Sequence, residues 1–377
     1  RSYEDGTPSK MNARYYAQRA SMALLISEGT QPSEDGQGYL LTPGVHNDKH
    51  VDGWRAVTDA VHEAGGRIVV QLMHVGRVAH PDNTPHGRRP VAPSPVAPAT
   101  PMFTASGMQP IPEPRELSTA EVRGVVDEFR QAARMAMTAG ADGVEIHSAN
   151  GYLLQQFLSS NANRRTDRYG GSIGNRIRLS VEVATAVADE IGAGRTGIRI
   201  SPGNTLNDIA EDDVTQLYTA LVSALAPLDL AYLHIAGRDD KLLVDLRRHW
   251  PNALLLNRGG TDLPTRIRDI TSGLADVVTV GSLALANPDL VERLRLGARL
   301  NTPDPATFYG GDERGYLDYP TLDYPPLKNV PPARENARKG RAIGRRGARP
   351  RSNRRDVPPR SRRTKGPAGM ERRVQVP

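Results

Sequence analysis

The chain has 377 residues, 38% of them hydrophobic, with 36 Gly and 30 Pro, which fits two small domains, one large one, or one large one with an appendage, with many turns. It has no Cys, and this excludes disulfides, Cys-ligated zinc, iron–sulfur clusters and thiol nucleophiles together. The net charge of +7 is uneven: 17 of 49 Lys and Arg but 3 of 42 Asp and Glu fall in residues 326–377, so the tail carries +14 and the body −7.

In chain order, residues 1–10 read as a loop entering a helix over 11–21. Seven apolar runs follow, at 23–28, 67–74, 143–148, 196–201, 230–236, 253–257 and 276–281, with amphipathic stretches between them. That alternation is the pattern of βα units feeding a parallel sheet, either doubly wound or a barrel lacking one strand. Ser118 and Glu121 form a capping-box pattern for a helix reaching about Thr138 and stopped by Gly140. Ser172 caps a helix to about Ile191, and Asp208 or Asp212 caps one ending before Pro227. Residues 75–117 are loaded with Pro and Gly and lie directly after a strand, which favours a functional lid. Residues 326–377 offer Pro, Gly and Arg without aliphatic periodicity and read as a disordered basic tail. No apolar run approaches the roughly 20 residues of a bilayer span, and residues 1–5 lack signal-peptide character. A soluble cytoplasmic protein, monomeric or homo-oligomeric, is expected. The acidic body gives no nucleic-acid stripe, so a small-molecule partner is expected and a nucleic-acid or membrane partner is not.

Barrels place their chemistry where strands end. His147 and Asn150, three residues apart at such an end, are two donors able to polarise one carbonyl or nitro oxygen, and Tyr152 beside them can give a proton. The same spacing also fits a polar loop that only satisfies buried backbone groups. Arg199 lies mid-strand among apolar residues and needs an anion, which a flavin, a substrate or Glu145 could supply. Gly259, Gly260 and Gly281 let backbone amides approach a phosphate, or else make ligand-free turns. The triple Gly170, Gly171 and Gly174 follows no strand and is not a dinucleotide fingerprint. His62-Glu63 lacks a second His and no Gly-x-Ser-x-Gly is present, so metal catalysis and serine hydrolysis lose support.

Long strings in the right order then carry a resemblance: Tyr15 to Ser21, Ile26 to Gln31, Val70 to Arg77, Gly143 to Leu158, Asn163 to Arg176, Ala286 to Arg293 and Phe308 to Gly311. From residue 1 to about 325 the chain resembles the Old Yellow Enzyme family of FMN-dependent ene-reductases, in its alkene and N-ethylmaleimide reductase branch. The resemblance implies a (β/α)8 TIM barrel over residues 1–325. It implies NAD(P)H-driven, ping-pong reduction of activated alkenes such as α,β-unsaturated carbonyls, maleimides and nitroalkenes. Carried over by residue, Gln71 would meet the flavin pyrimidine edge, Arg199 its N1/O2 side and Gly29 its ring. Gly259, Gly260, Gly281 and Ser282 would cradle the phosphate. His147 and Asn150 would clamp the substrate oxygen, Tyr152 would protonate the α-carbon, and Met73 and Tyr309 would line the pocket.

Four departures from the family pattern stand out. The first barrel strand is missing, and Arg1-Ser2 resemble the residues just after it, as in a fragment or a mis-started reading frame. Met73 replaces a usual Trp. Ser282-Leu283 replace an Arg-Pro, with Arg258 a candidate to supply the lost cation. Gly174 replaces a Glu. The tail has no counterpart in the family and reads as a basic extension or as out-of-frame translation of GC-rich DNA, composition favouring the latter. A flavin demethylase or dienoyl-CoA reductase on the same barrel would need Cys. An inactive barrel with a nucleic-acid- or acidic-surface-binding tail is the alternative from another class.

Overall fold

The computed structural model describes residues 1–322, and each predicted apolar run contains a strand. The strands are β1 (Leu25–Ile26), β2 (Ile68–Leu72), β3 (Val91–Ala92), β4 (Pro101–Thr104), β5 (Gly107–Pro110), β6 (Arg115–Glu116), β7 (Gly143–Ser148), β8 (Thr196–Ile200), β9 (Tyr232–Ala236), β10 (Ala253–Asn257) and β11 (Val277–Val278). β1, β2 and β7 to β11 make one seven-stranded parallel sheet in chain order. A doubly wound sheet would reverse its order at a switch point. This one never reverses, so it curls as a TIM-type half-barrel. β1 and β11 are its edges among the described residues, and each extends for two residues.

Helices lie between the strands: α1 (Lys10–Ala17), α2 (Asp48–Glu63), α3 (Thr119–Thr138), α4 (Leu153–Leu158), α5 (Ile173–Arg176), α6 (Arg178–Ile191), α7 (Val214–Leu225), α8 (Asp240–His249), α9 (Leu263–Thr271), α10 (Ser282–Ala286) and α11 (Leu290–Leu296). Ser118 and Glu121 form the expected capping box of α3. A second box, from Ser9 and Asn12, starts α1 earlier than the apolar pattern predicts. Neither Asp208 nor Asp212 caps α7. Asp213 stands at that position without bonding the amides, and its Oδ2 accepts from Arg176 Nη2 at 2.5 Å. Among the described residues no helix is long and apolar enough to cross a membrane.

Register sets the barrel's layers. Val144, Ile146, Ile198 and Leu233 are fully buried, while the alternate positions bring polar groups side by side. Glu145 pairs with Gly197, which pairs with Tyr232. One layer nearer the strand ends, His147 pairs with Arg199, which pairs with His234. Gly197 is required at its place, since a Cβ there would lie 2.2 Å from the Tyr232 ring.

Residues 75–117 are more ordered than their composition suggests. β3 pairs with β6, and β4 pairs with β5 as a hairpin whose ends are Pro101 and Pro110. Proline tolerates those end positions because no ladder amide is needed there. Arg77, fully buried, ties the segment down by donating to the carbonyls of Val96 and Asp208. Val75, Val78, Ala79, Met102 and Ile111 pack with Tyr152 in a separate apolar cluster. The expected tail, residues 326–377, lies outside the described residues.

Candidate active site

Gln71, His147, Asn150 and Arg199 lie at or near the carboxyl ends of the adjacent strands β2, β7 and β8. Glu145, fully buried, organises the floor: its Oε1 accepts from Gln71 Nε2 at 2.7 Å, and its Oε2 lies 2.9 Å from His234 Nδ1. His234 Nε2 in turn meets Thr279 Oγ1 at 3.1 Å, which reaches across to the residue after β11. Burial alone would raise the Glu145 carboxyl, but His234, Arg199 and Gln71 outweigh it and hold the group ionised. Both of its oxygens are thus taken by neighbours other than Arg199, which feels Glu145 only through space. Arg199 Nε is buried without a hydrogen-bond partner among the described residues. An unpaired buried guanidinium nitrogen is costly, and it marks a place built for an anionic or strongly accepting group.

The amide of Gln71 is oriented by the same network. A carboxylate can only accept, so Nε2 must face Glu145 and Oε1 is left to accept from something else. An imide N–H at the pyrimidine edge of a flavin fits that acceptor, and an electron-rich N1/O2 rim fits Arg199. The residues present therefore suit FMN. Gly29 lies against Met73, since a Cβ at Gly29 would sit 2.5 Å from Met73 Sδ. The two are neighbours, as a shared pocket wall requires.

His147 is 2% exposed, and burial, reinforced by the Arg199 cation, lowers its imidazole to about 3. It is neutral, and Ala149 N donates to its Nδ1 at 3.2 Å, so the ring proton resides on Nε2. Asn150 sits in the left-handed region at φ 54°, with Gly151 following at 78°. That sharp turn is fixed by Asn150 N donating to Ser201 Oγ at 2.8 Å and by Asn207 Nδ2 donating to the Asn150 carbonyl at 2.7 Å. The Tyr152 ring stands edge-on to His147, with centroids 5.1 Å apart. Burial, with the Tyr39 hydroxyl 3.0 Å away, pushes the Tyr152 phenol up, so it stays protonated. Tyr309 is 60% exposed, and its phenol adds slightly to the upward push that burial gives those of Tyr39 and Tyr152.

Gly259 and Gly260 follow β10, while Gly281 and Ser282 follow β11 and open α10. Gly260 has φ 75°, and the exposed Arg238 guanidinium bonds the Gly259 carbonyl beside it. Arg258 is placed otherwise than as a free phosphate cation. Asp269 accepts from its Nε at 2.8 Å and its Nη2 at 3.0 Å, and Asp240 takes Nη1 at 2.7 Å. Its charge is spent holding the turn after β10 to α8 and α9. The sequence reading also passed over Tyr39, Asn204, Asn207 and Arg238. All four lie in loops, where no periodicity marks a residue, and only the approach of distant segments gives them a role.

Two deeply buried neutral imidazoles predict acid lability. Burial holds His74 at about 4 and His147 at about 3, against about 6.5 in an unfolded chain. Below pH ~6.5 the unfolded state binds protons that the folded state refuses. Each residue then removes about 1.4 kcal/mol of stability per pH unit as the pH falls toward the folded value. Urea unfolding should therefore show stability dropping steeply from pH 7 to pH 5. A flat profile over that range would contradict the neutral, buried assignment.

Comparison with known proteins completes the description. The model of the NADH:flavin oxidoreductase / NADH oxidase family matches residues 1–301. A probable flavin mononucleotide-dependent alkene reductase of Leishmania infantum is 41% identical over 331 residues, covering 85% of this chain and 91% of that protein. The structure of morphinone reductase in complex with tetrahydroNAD aligns with TM-score 0.81 at 43% identity, covering 85% of this chain and 90% of that one. The old yellow enzyme homologue from Zymomonas mobilis aligns with TM-score 0.83 at 36% identity, covering 85% and 93%.

Proposed function

The chain belongs to the NADH:flavin oxidoreductase / NADH oxidase family, and from that premise we propose how its own residues divide the work of an ene-reductase. The enzyme is an FMN-dependent NAD(P)H oxidoreductase that reduces the C=C bond of activated alkenes. Bound FMN supplies a two-electron carrier that accepts hydride from the nicotinamide and delivers it to the alkene. Gln71 Oε1 and Arg199 hold the pyrimidine edge, and Gly29 lets the ring lie close to the backbone beside Met73. The Gly259-Gly260 turn with Gly281 and Ser282 receives the phosphate. Arg258 serves that turn by bracing it against Asp269 and Asp240.

His147 Nε2–H and the carboxamide of Asn150 donate to the oxygen of an enone or nitroalkene. Negative charge grows on that oxygen as hydride arrives at the β-carbon, so donors already in place stabilise the transition state more than the ground state. Tyr152, kept protonated, gives its proton to the α-carbon, and Tyr39 lies within hydrogen-bond reach to restore it. Because both His147 and Tyr152 keep one protonation state across neutral pH, neither imposes a limb on the rate profile between pH 6 and 8.

The observation that carries this reading is Arg199, a half-buried cation whose buried Nε finds no partner among the described residues, in direct register with a neutral, donor-presenting His147. The test is to reconstitute the chain with FMN and follow NADPH oxidation without oxygen. Oxidation that requires cyclohexenone supports the reading. A chain that stays colourless after reconstitution, or a yellow protein indifferent to the enone, overturns it.

A further inference from the structure

A clamp built from a carboxamide has an ambiguity that one built from imidazole lacks. An Asn side chain has an oxygen and a nitrogen in nearly the same shape, and only the nitrogen can donate to a substrate oxygen. Rotation by half a turn would place oxygen against oxygen and convert an attraction into a repulsion. Something must select the productive orientation of Asn150, and a chain of hydrogen bonds in the loop after β8 does so.

The chain starts at a backbone amide, whose polarity is not in question. Leu206 N–H donates to Asn204 Oδ1 at 2.9 Å, closing a turn of the kind Asn favours. Asn204 has therefore spent its acceptor on the backbone, and its other end must be Nδ2. That nitrogen donates to Asn150 Oδ1 at 3.1 Å. Asn150 has in turn spent its own acceptor, so the group it has left to offer is Nδ2. The backbone of Asn150 cannot turn to evade this, because Ser201 and Asn207 hold its N–H and its carbonyl. Each link reads the polarity of the previous one, and the first link is fixed by the peptide itself.

We propose that Asn204 is a positioning residue that locks the Asn150 carboxamide with its N–H2 toward the substrate, and so tunes the clamp for ligands presenting an acceptor-only oxygen. This rests on the ene-reductase reading and extends it to specificity. Ketones and nitro groups carry only acceptors at the clamp. A carboxamide ligand, the nicotinamide included, carries both an acceptor and a donor and can rotate to suit either orientation of Asn150. Selectivity between the two ligand classes is therefore the property Asn204 controls.

The variants N204D and N204A separate this role from a merely structural one. Asp keeps the acceptor that Leu206 N–H needs, so the loop survives, but its remaining oxygen cannot donate to Asn150 Oδ1. It accepts from Asn150 Nδ2 instead and turns the carboxamide round. Ala leaves the carboxamide free to take either orientation. If Asn204 only braced the loop, Asp would be the milder change. If it sets polarity, Asp is the harsher one. An added charge acting at a distance predicts another pattern, since negative charge near the cofactor disfavours its reduced state and would hasten reoxidation by an enone.

The measurement uses FMN-loaded wild type, N204D and N204A. Acetophenone, an acceptor-only probe, and benzamide, which has both functions, are titrated by flavin absorbance. The flavin's reduction by NADPH and its reoxidation by cyclohexenone are followed separately. N204D is expected to weaken acetophenone binding and slow cyclohexenone reoxidation about tenfold or more. Benzamide binding and NADPH reduction should stay within about threefold, and N204A should lie between wild type and N204D. Equal losses in all four measurements, an Asp variant milder than the Ala variant, or faster reoxidation in N204D would each overturn the proposal. Wild type that binds FMN but is never reoxidised by cyclohexenone would defeat the ene-reductase reading beneath it.

Discussion

Truncating His147 or Asn150 to alanine is expected to slow cyclohexenone reduction by about 10²- to 10³-fold for each donor, the range observed when one oxyanion donor is removed. The neutral His147 presents Nε2–H because Ala149 N already occupies Nδ1, and the Asn150 carboxamide is anchored at its oxygen by Asn204. Neither donor has to reorganise when charge develops, and this is what makes such groups effective in a site shielded from water. Two donors proposed to share one substrate oxygen are coupled, so the double variant should fall short of the product of the single losses. H147A also removes a ring packed edge-on to Tyr152, so Asn150→Ala is the cleaner measurement of the pair. Single-turnover reoxidation with cyclohexenone gives the readout. A loss below about threefold in both single variants would place the substrate oxygen elsewhere.

Replacing Arg199 by Met should separate cofactor binding from folding. In the protein alone the guanidinium is desolvated and its Nε unpaired, so it contributes little stability of its own. With a flavin in place it would form charge-assisted hydrogen bonds, each worth about 1.5–3 kcal/mol, or one to two orders of magnitude in affinity. R199M should therefore weaken FMN binding by that factor, as read from quenching of flavin fluorescence. The apoprotein should change its urea midpoint far less, because Glu145 keeps its bonds to Gln71 and His234. Unaltered FMN affinity would remove Arg199 from the cofactor site. Apoprotein collapse with no folded fraction to titrate would show that Arg199 is instead the counter-charge Glu145 requires.

Much of this was legible in residue order. The apolar runs at 67–74, 143–148, 196–201 and 253–257 each marked a strand, a signal that depends only on local composition. The Ser118 capping box lies within four residues and appeared where expected. The string around His147 and Asn150 helped carry the resemblance, which then implied a flavin-binding role for Arg199. Loop segments were read less well. Residues 75–117 read as an irregular lid because Pro masks short strands, and nothing local shows that Arg77 pins them. Arg258 looked like a spare cation until Asp240 and Asp269 were seen around it.

Residue order by itself thus determined the βα alternation, the absence of Cys chemistry, the acidic body and which side chains stand at strand ends. Each is either a simple count along the chain or depends on neighbours within a few positions. Tertiary structure alone decided which of those side chains are free to act. It spent both oxygens of Glu145 on Gln71 and His234, left Arg199 Nε unpaired, neutralised Arg258, and set the polarity of Asn150 through Asn204. A hydrogen bond or ion pair consumes a donor or acceptor irrespective of sequence distance, so the chemical availability of a group is settled only when the chain has closed on itself.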